Sequence, residues 1–342
     1  MRHILNKIYL LVLLTGLISI SINAQQRILI HSHNDYEQRV PFYQAYAQQV
    51  ASIEADIYTT AKANELKVAH DLKDVANAPT IDEAYITPLV NLFKQNGGRP
   101  WKNSDKTLIL LVDLKTPANP TLDILVSKLK AYPQVFDATV NPYAVKVVIS
   151  GNRPAEKDYS KYPSFISFDG YKTDYTPEQL KRIAMISLSF AYYSVWNGKG
   201  SIKKAELEKV VKVINEVHAL GKPIRFWGTP DGVTAWNTFH NLGIDYINTD
   251  RPEACADYFS HFDNKNYQIG KNEDITDDVA RAKRLDRTTV GFQGFNNKLL
   301  QLSKGINVYT PTYKNDGSNK PIKNIIFLIG DGTGLAQLQA GA

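Results

Sequence analysis

A short apolar run that ends in a cluster of polar residues recurs along this chain, and that recurrence constrains the fold more than any other feature. Ile28-Leu29-Ile30 runs into His31, Ser32, His33, Asn34 and Asp35. Ser52-Ile53-Glu54-Ala55-Asp56 ends in two carboxylates, and Leu108 to Lys115 carries five apolar residues into Asp113 and Lys115. Such a run reads as a buried strand delivering functional groups at its C-terminal end. Strands are predicted at Arg27–His31, Ser52–Ile57, Thr107–Leu114, Ala144–Ser150, Phe165–Phe168, Met185–Ser189, Pro223–Trp227 and Ile244–Asn248. Helical patterns separate them at Pro41–Val50, Thr80–Gln95, Leu122–Tyr132, Pro177–Ile183, Ile202–Leu220, Val233–Asn241 and Pro252–Phe262. Thr80 and Glu83 have the spacing of a capping box. Tyr58–Asp71 reads as a hairpin turned at Lys62-Ala63-Asn64-Glu65, carrying His70. Eight strands with intervening helices over about 235 residues predict an α/β fold, a (β/α)8 TIM barrel. An open doubly wound sheet is the competing arrangement, but no glycine-rich phosphate loop follows the first strand.

The ends of the chain differ from this rhythm. Residues 1–24 have a basic start, an apolar core at Ile8–Ile20 and small residues before Gln25, the pattern of a secretory signal peptide. The barrel is expected over 25–262 and a linker with short β pieces over 263–322. Residues 323–342 hold the buried strand Asn324–Ile329 and the turn Gly330-Asp331-Gly332-Thr333-Gly334, read as the start of an incomplete further domain. Once the leader is removed no segment is apolar enough to span a membrane, so an exported protein, periplasmic or secreted, is expected. The lone Cys255 allows no internal disulfide, which suits a periplasm better than a disulfide-rich setting. Net charge is +6, or +4 without Arg2 and Lys7, and it is dispersed. That excludes a nucleic-acid patch and leaves weak attraction to anionic substrates or lipid surfaces.

Taken singly, each strand-end residue could be a satisfied polar group. Together, His31, His33 and His70 with Glu54, Asp56 and Asp113 suit a metal-dependent phosphodiesterase. Three carboxylates can hold one divalent cation, Ca²⁺ or Mg²⁺, through oxygen. Lys115 can neutralise phosphoryl charge, and one imidazole can accept a proton while another donates one. His33 could instead ligate a metal or bind phosphate, and Asn34 and Asp35 could cap the turn or bind. Trp227 and Tyr192-Tyr193 are aromatic candidates for the mouth. His218, His240 and Cys255 read as structural.

His31, Glu54-Ala55-Asp56, His70-Asp71 and Gly243 to Asp250 resemble the glycerophosphodiester phosphodiesterase and phosphatidylinositol phospholipase C superfamily. The His-Ser-His-Asn-Asp-Tyr opening and Trp227-Gly228-Thr229-Pro230-Asp231 resemble an uncharacterised branch that includes a fungal mitochondrial-inheritance family. The resemblance covers residues 27–262. It implies Glu54, Asp56 and Asp113 as metal carboxylates, His31 and His70 as the acid–base pair, and Lys115 beside them. His33, Asn34 and Trp227 are additional site candidates. Typical members have His-Arg-Gly where this chain has His31-Ser32-His33. The implied function is hydrolysis of a small-molecule or lipid phosphodiester, of glycerophosphodiester or phospholipid type. The alternative is a non-catalytic barrel that binds a phosphorylated ligand or glycan as an accessory to an alkaline phosphatase whose catalytic domain is missing here. The tail resembles the opening strand of alkaline phosphatases, with Asp331 at a metal position, Thr333 where methionine is usual, and the rest of that site absent.

Overall fold

The structure, a computed structural model, describes residues 28–262. The leader, the linker and the tail, Asp331 included, lie outside the described residues. The apolar runs become parallel strands β1 (Leu29–Ser32), β2 (Ser52–Thr59), β4 (Ile109–Leu114), β5 (Lys146–Gly151), β6 (Ile166–Gly170), β7 (Ile183–Ser189), β8 (Ile224–Trp227) and β9 (Tyr246–Thr249). Each adds to the edge of its neighbour, and β1 pairs with both β2 and β9. The sheet is therefore a closed eight-stranded (β/α)8 barrel without a free edge. β3 (Leu66–Val68) stands outside it as the antiparallel partner of β2, and the hairpin turn places Asn64 at φ 59°.

Two apolar regions hold the barrel. Its helix-facing side packs Ile53, Leu110, Val112, Val147, Ile149 and Ile186 into the main core. Ile109, Leu111, Val148, Met185 and Tyr246 form a second cluster around the inward-facing positions. Register then decides which polar residues become neighbours. Asp56 pairs with Asp113, Asp113 with Ser150, and His31 with both Ser52 and Asn248.

The helices differ from expectation mainly at their starts. The first is only Tyr43–Ala47, because Phe42 takes φ 64° and cannot extend it N-terminally. The Thr80–Glu83 capping box forms, with Thr80 N–H donating to Glu83 Oε2 at 2.8 Å, but the next turn, Asp82–Ile86, is π-helical. The helix expected from Leu122 lies within Ala118–Lys130, where Asn119 is out of helical conformation at φ −99° and ψ 122°. Among the described residues no helix is long and apolar enough to cross a membrane. Cys255 is a buried core residue.

Asp35 locks the loop after β1. Buried, it accepts from Ser32 Oγ at 2.8 Å, Phe42 N at 2.7 Å and Tyr85 Oη at 3.0 Å. Its role is thus in the turn. Gly151 is the other tight point: at φ +68° it lies so close that a Cβ would sit 2.5 Å from Asp113 Oδ1 and from Leu114 O. Gly151→Ala is expected to destabilise the barrel by about 1–3 kcal/mol through this overlap and the left-handed backbone. Urea unfolding measures it, and an unchanged midpoint would refute the steric argument.

Candidate active site

Inward-facing residues at the C-terminal ends of the strands form a polar belt above the apolar interior. It comprises His31, Glu54, Asp56, Asp113, Ser150, Asp169, Ser187, Arg225 and Asn248. Much of it borders a cavity of about 460 Å³ whose walls also include His33, Asn34, His70, Lys115, Arg153, Tyr171 and Trp227. A larger groove of about 780 Å³ runs along the outer face of Lys204–Ala219. Its walls are one helix, so it lacks the convergence of groups from many strands that chemistry requires.

Arg225 is buried in β8 and braces the belt. Its Nε donates to Ser187 Oγ at 2.9 Å, and Nη1 donates to Glu54 Oε2 and Asn248 Oδ1, both at 3.0 Å. Nη1 also lies 2.6 Å from His31 Nε2, and Nη2 lies 3.6 Å from Asp169 Oδ2. Burial would raise the Glu54 carboxyl, but Arg225 and His31 outweigh it and hold it well below the usual carboxylate range. His31 is fully buried, with Nδ1 2.9 Å from Ser52 Oγ and Nε2 2.7 Å from Glu54 Oε2. Burial, then Arg225, pushes its pKa down to about 3, so the ring is neutral.

Lys115 plays the second bracing role. Its Nζ reaches Asp56 Oδ2 at 2.8 Å and Asp113 Oδ1 at 3.1 Å. Burial disfavours its charge, yet the two carboxylates raise its pKa. Ser150 donates to Asp113 Oδ2 at 2.8 Å. Burial, then the charge of Glu54, raises Asp56 to about 6 despite Lys115, and Asp56 Oδ1 is buried without a hydrogen-bond partner.

The other two histidines face the cavity. The His70 side chain is 50% exposed, with Nδ1 3.1 Å from Tyr36 Oη and 3.5 Å from Asp56 Oδ2. Tyr36 in turn donates to Asp56 Oδ2 at 2.8 Å. The His33 side chain is 26% exposed, and its Nδ1 lies 2.7 Å from Asp250 Oδ1. Burial works against its cation, but the Asp250 hydrogen bond and the charge of Glu54 outweigh it and raise its pKa.

The structure thus gathers His33, Asn34, Glu54, His70, Asp113, Lys115 and Trp227 around one cavity, with Asp56 bonded to Lys115 and Tyr36 and His31 beneath. It does not bring Tyr192-Tyr193 there. Tyr192 is exposed elsewhere, and Tyr193 packs on Phe226 with ring centroids 5.6 Å apart. His218 bonds Asp245 at 2.8 Å, and His240 packs edge-on against Phe259 and Phe262, in keeping with structural roles. Sequence reasoning missed Arg225, Asp169, Arg153, Ser150, Ser187 and Asn248. All sit within or just past later strands, in or after apolar runs like those of β1, β2 and β4.

Fold and site together define a (β/α)8 barrel with a charged cavity at the C-terminal ends of its strands. Residues 20–161 match the AIM6-like phosphodiesterase domain, and residues 223–253 match the glycerophosphoryl diester phosphodiesterase family. The chain is 25% identical to "Altered inheritance of mitochondria protein 6" of Eremothecium gossypii, covering 67% of this chain and 69% of that one. The corresponding protein of Kluyveromyces lactis is 26% identical, over 67% and 71%. Among solved structures, a glycerophosphodiester phosphodiesterase from Parabacteroides distasonis superposes with a TM-score of 0.46 at 14% identity, covering 69% of this chain and 98% of that one. The resemblance to the PLC-like phosphodiesterase superfamily is borne out over the barrel, and a phosphodiesterase-type function is supported. The alkaline-phosphatase-like stretch lies outside both family matches.

Asp169 gives the interior a pH dependence. Buried beside Arg225, it has its pKa raised to about 6, chiefly by burial. A carboxylate whose folded pKa is raised stabilises the fold below its unfolded pKa, near 4, and loses that contribution as pH rises through 6. Asp169→Asn should therefore gain stability relative to wild type between pH 4 and pH 7, by about 3 kcal/mol if the full shift acts. Urea unfolding at the two pH values checks it, and a constant difference would show that Asp169 is not the titrating group.

Proposed function

We propose that this protein is an exported phosphodiester hydrolase acting by histidine acid–base catalysis on a glycerophosphodiester or phospholipid-type substrate. The observation that carries the reading is the convergence of His70, His33 and Lys115 with Glu54, Asp56 and Asp113 at one cavity. The leader-like residues 1–24 support export. Lys115 and Arg153 offer cationic groups for phosphate oxygens, and the imidazoles offer proton transfer on opposite sides of the scissile bond.

A divalent cation fits the donor set. Among the described residues no three His, Cys, Asp or Glu side chains stand as a ready ligand group, because Glu54 is held by Arg225 while Asp56 and Asp113 are held by Lys115. Yet the three carboxylates are hard oxygen donors on adjacent strands, and the buried, unpartnered Asp56 Oδ1 is a free ligand atom. Glu54, Asp56 and Asp113 would hold Ca²⁺ or Mg²⁺, which would supply neutralising charge to the phosphoryl oxygens. Lys115 competes for the same oxygens. Calorimetry should show that Asp56→Asn weakens cation binding about tenfold or more, while Lys115→Met tightens it. Equal affinity in both variants would sink this ligand assignment.

The test of the function is a screen of the purified chain against glycerophosphodiesters, phosphatidylinositol and sphingomyelin, with and without EDTA. One class should turn over, and His70→Ala should lower its rate by about two or more orders of magnitude with the fold intact. Binding of a phosphodiester without turnover of any would favour the non-catalytic barrel instead.

A further inference from the structure

We propose that His33, oriented by Asp250 and Asp231, is the imidazole that protonates the leaving oxygen, and that His31 is a structural strut. The inference rests on the phosphodiesterase reading and assigns its proton donor. His31 is fully buried, with its nitrogens against Ser52, Glu54 and Arg225. A group that must meet substrate cannot work from there without dismantling three contacts. His33 meets the cavity directly. Its backbone N–H donates to Thr249 O at 3.0 Å, its Nδ1 holds Asp250, and its Nε2 has no partner among the described residues.

The backbone that carries the Asp250 carboxylate is itself held in place. Asp250 N–H donates to Asp231 Oδ2 at 2.9 Å, and Asp250 O accepts from Gln38 Nε2 at 2.8 Å. Asp231 Oδ1 accepts from Trp236 Nε1 at 2.7 Å. This gives the Trp227-Gly228-Thr229-Pro230-Asp231 motif a purpose: its first residue walls the cavity and its last sets the partner of His33. Asp231 is thus a positioning residue, while His33 touches the reacting atoms.

The hydrogen bonds also divide the labour between the two imidazoles. The Tyr36 hydroxyl has two oxygen acceptors, Asp56 Oδ2 at 2.8 Å and Asn34 Oδ1 at 3.0 Å, so His70 Nδ1–H donates to the Tyr36 oxygen and leaves the Nε2 lone pair free to act as base. His33 Nδ1–H donates to the Asp250 carboxylate, which favours the imidazolium with Nε2–H available as acid. In the step, an attacking hydroxyl or water oxygen forms the new bond to phosphorus and passes its proton to His70 Nε2. The bond from phosphorus to the leaving oxygen breaks, and that oxygen takes the proton of His33 Nε2. Both rings reach solvent, so their protons re-equilibrate after each turnover.

The test uses the full chain and two glycerol phosphodiesters that differ only in leaving group, methyl and 4-nitrophenyl. Methoxide needs a proton donor and 4-nitrophenolate does not. His33→Ala and Asp250→Asn should lose about 100-fold or more on the methyl diester and less than about tenfold on the 4-nitrophenyl diester. Asp231→Asn should show the same leaving-group dependence more weakly, in kcat with KM unchanged. His70→Ala should lose rate on both. His31→Gln should lower the unfolding midpoint without any leaving-group dependence. The inference is overturned if His33→Ala loses both activities equally or neither, or if folded His31→Gln shows the leaving-group signature. A wild-type chain that cleaves neither diester overturns the underlying reading and the inference together.

Discussion

The interior depends on one guanidinium. Arg225 projects from β8 and meets groups on β1, β2, β6, β7 and β9: His31, Glu54, Asp169, Ser187 and Asn248. It therefore ties together six of the eight strands that close the barrel. Glu54 and Asp169 are buried carboxylates, and a buried charge left without its partner costs several kcal/mol. Hydrophobic residues of the same volume could pack such an interior at no loss in stability. Under the proposed function, a charged network there is the cost of keeping carboxylates beneath the cavity.

Charge compensation then divides the site into two depths. Arg225, wholly buried, satisfies the deep layer of Glu54, His31 and Asp169. Lys115, partly exposed, satisfies the upper layer of Asp56 and Asp113. In the deep layer Arg225 holds Glu54, which also faces the cavity, and Asp169 keeps Oδ1 without a hydrogen-bond partner among the described residues. The upper layer is open: Lys115 can swing on its flexible stem, Asp56 keeps one oxygen without a partner among the described residues, and burial with the nearby Glu54 charge raises that carboxyl to about 6. A phosphate arriving at the mouth meets Lys115 without touching the strand-to-strand bracing below, whereas a cation on the proposed ligands would share Glu54 with Arg225.

The strands were legible because each is a bounded apolar run, and hydrophobicity at that length reports burial whatever the topology. Closure was legible from the count of eight and their alternation with helices. Helix starts were not, since Phe42 at φ 64° and the π-turn at Asp82–Ile86 answer to packing rather than to local preference. The carboxylates of β2 and β4 stood out as charges within apolar runs. Arg225 in Ile224-Arg225-Phe226-Trp227 carries the same signal, but a long cation beside a short run also reads as a solvent residue. Only the register between β7, β8 and β9 shows that it points inward. Ser150, Ser187 and Asn248 gave still less, because their worth comes entirely from what stands opposite them.

The fate of His31 and His33 shows where reading by spacing reaches its limit. Two residues apart on an extended chain, they project to the same side, and the sequence favours His31, the one nearer the strand. Their difference is depth. A strand rises about 3.3 Å per residue, so His33 lies roughly 6.6 Å nearer the mouth. Because β1 ends at Ser32, that distance spans the boundary between the barrel interior and its rim. The deeper ring is enclosed by Ser52, Glu54 and Arg225 and becomes part of the bracing. The shallower one lies past the last strand residue, still anchored through its N–H to Thr249, with a carboxylate behind it and the cavity in front. Strand length, set by where the ladder between β1 and β9 stops, thus decides which of two identical side chains is structure and which is available for chemistry.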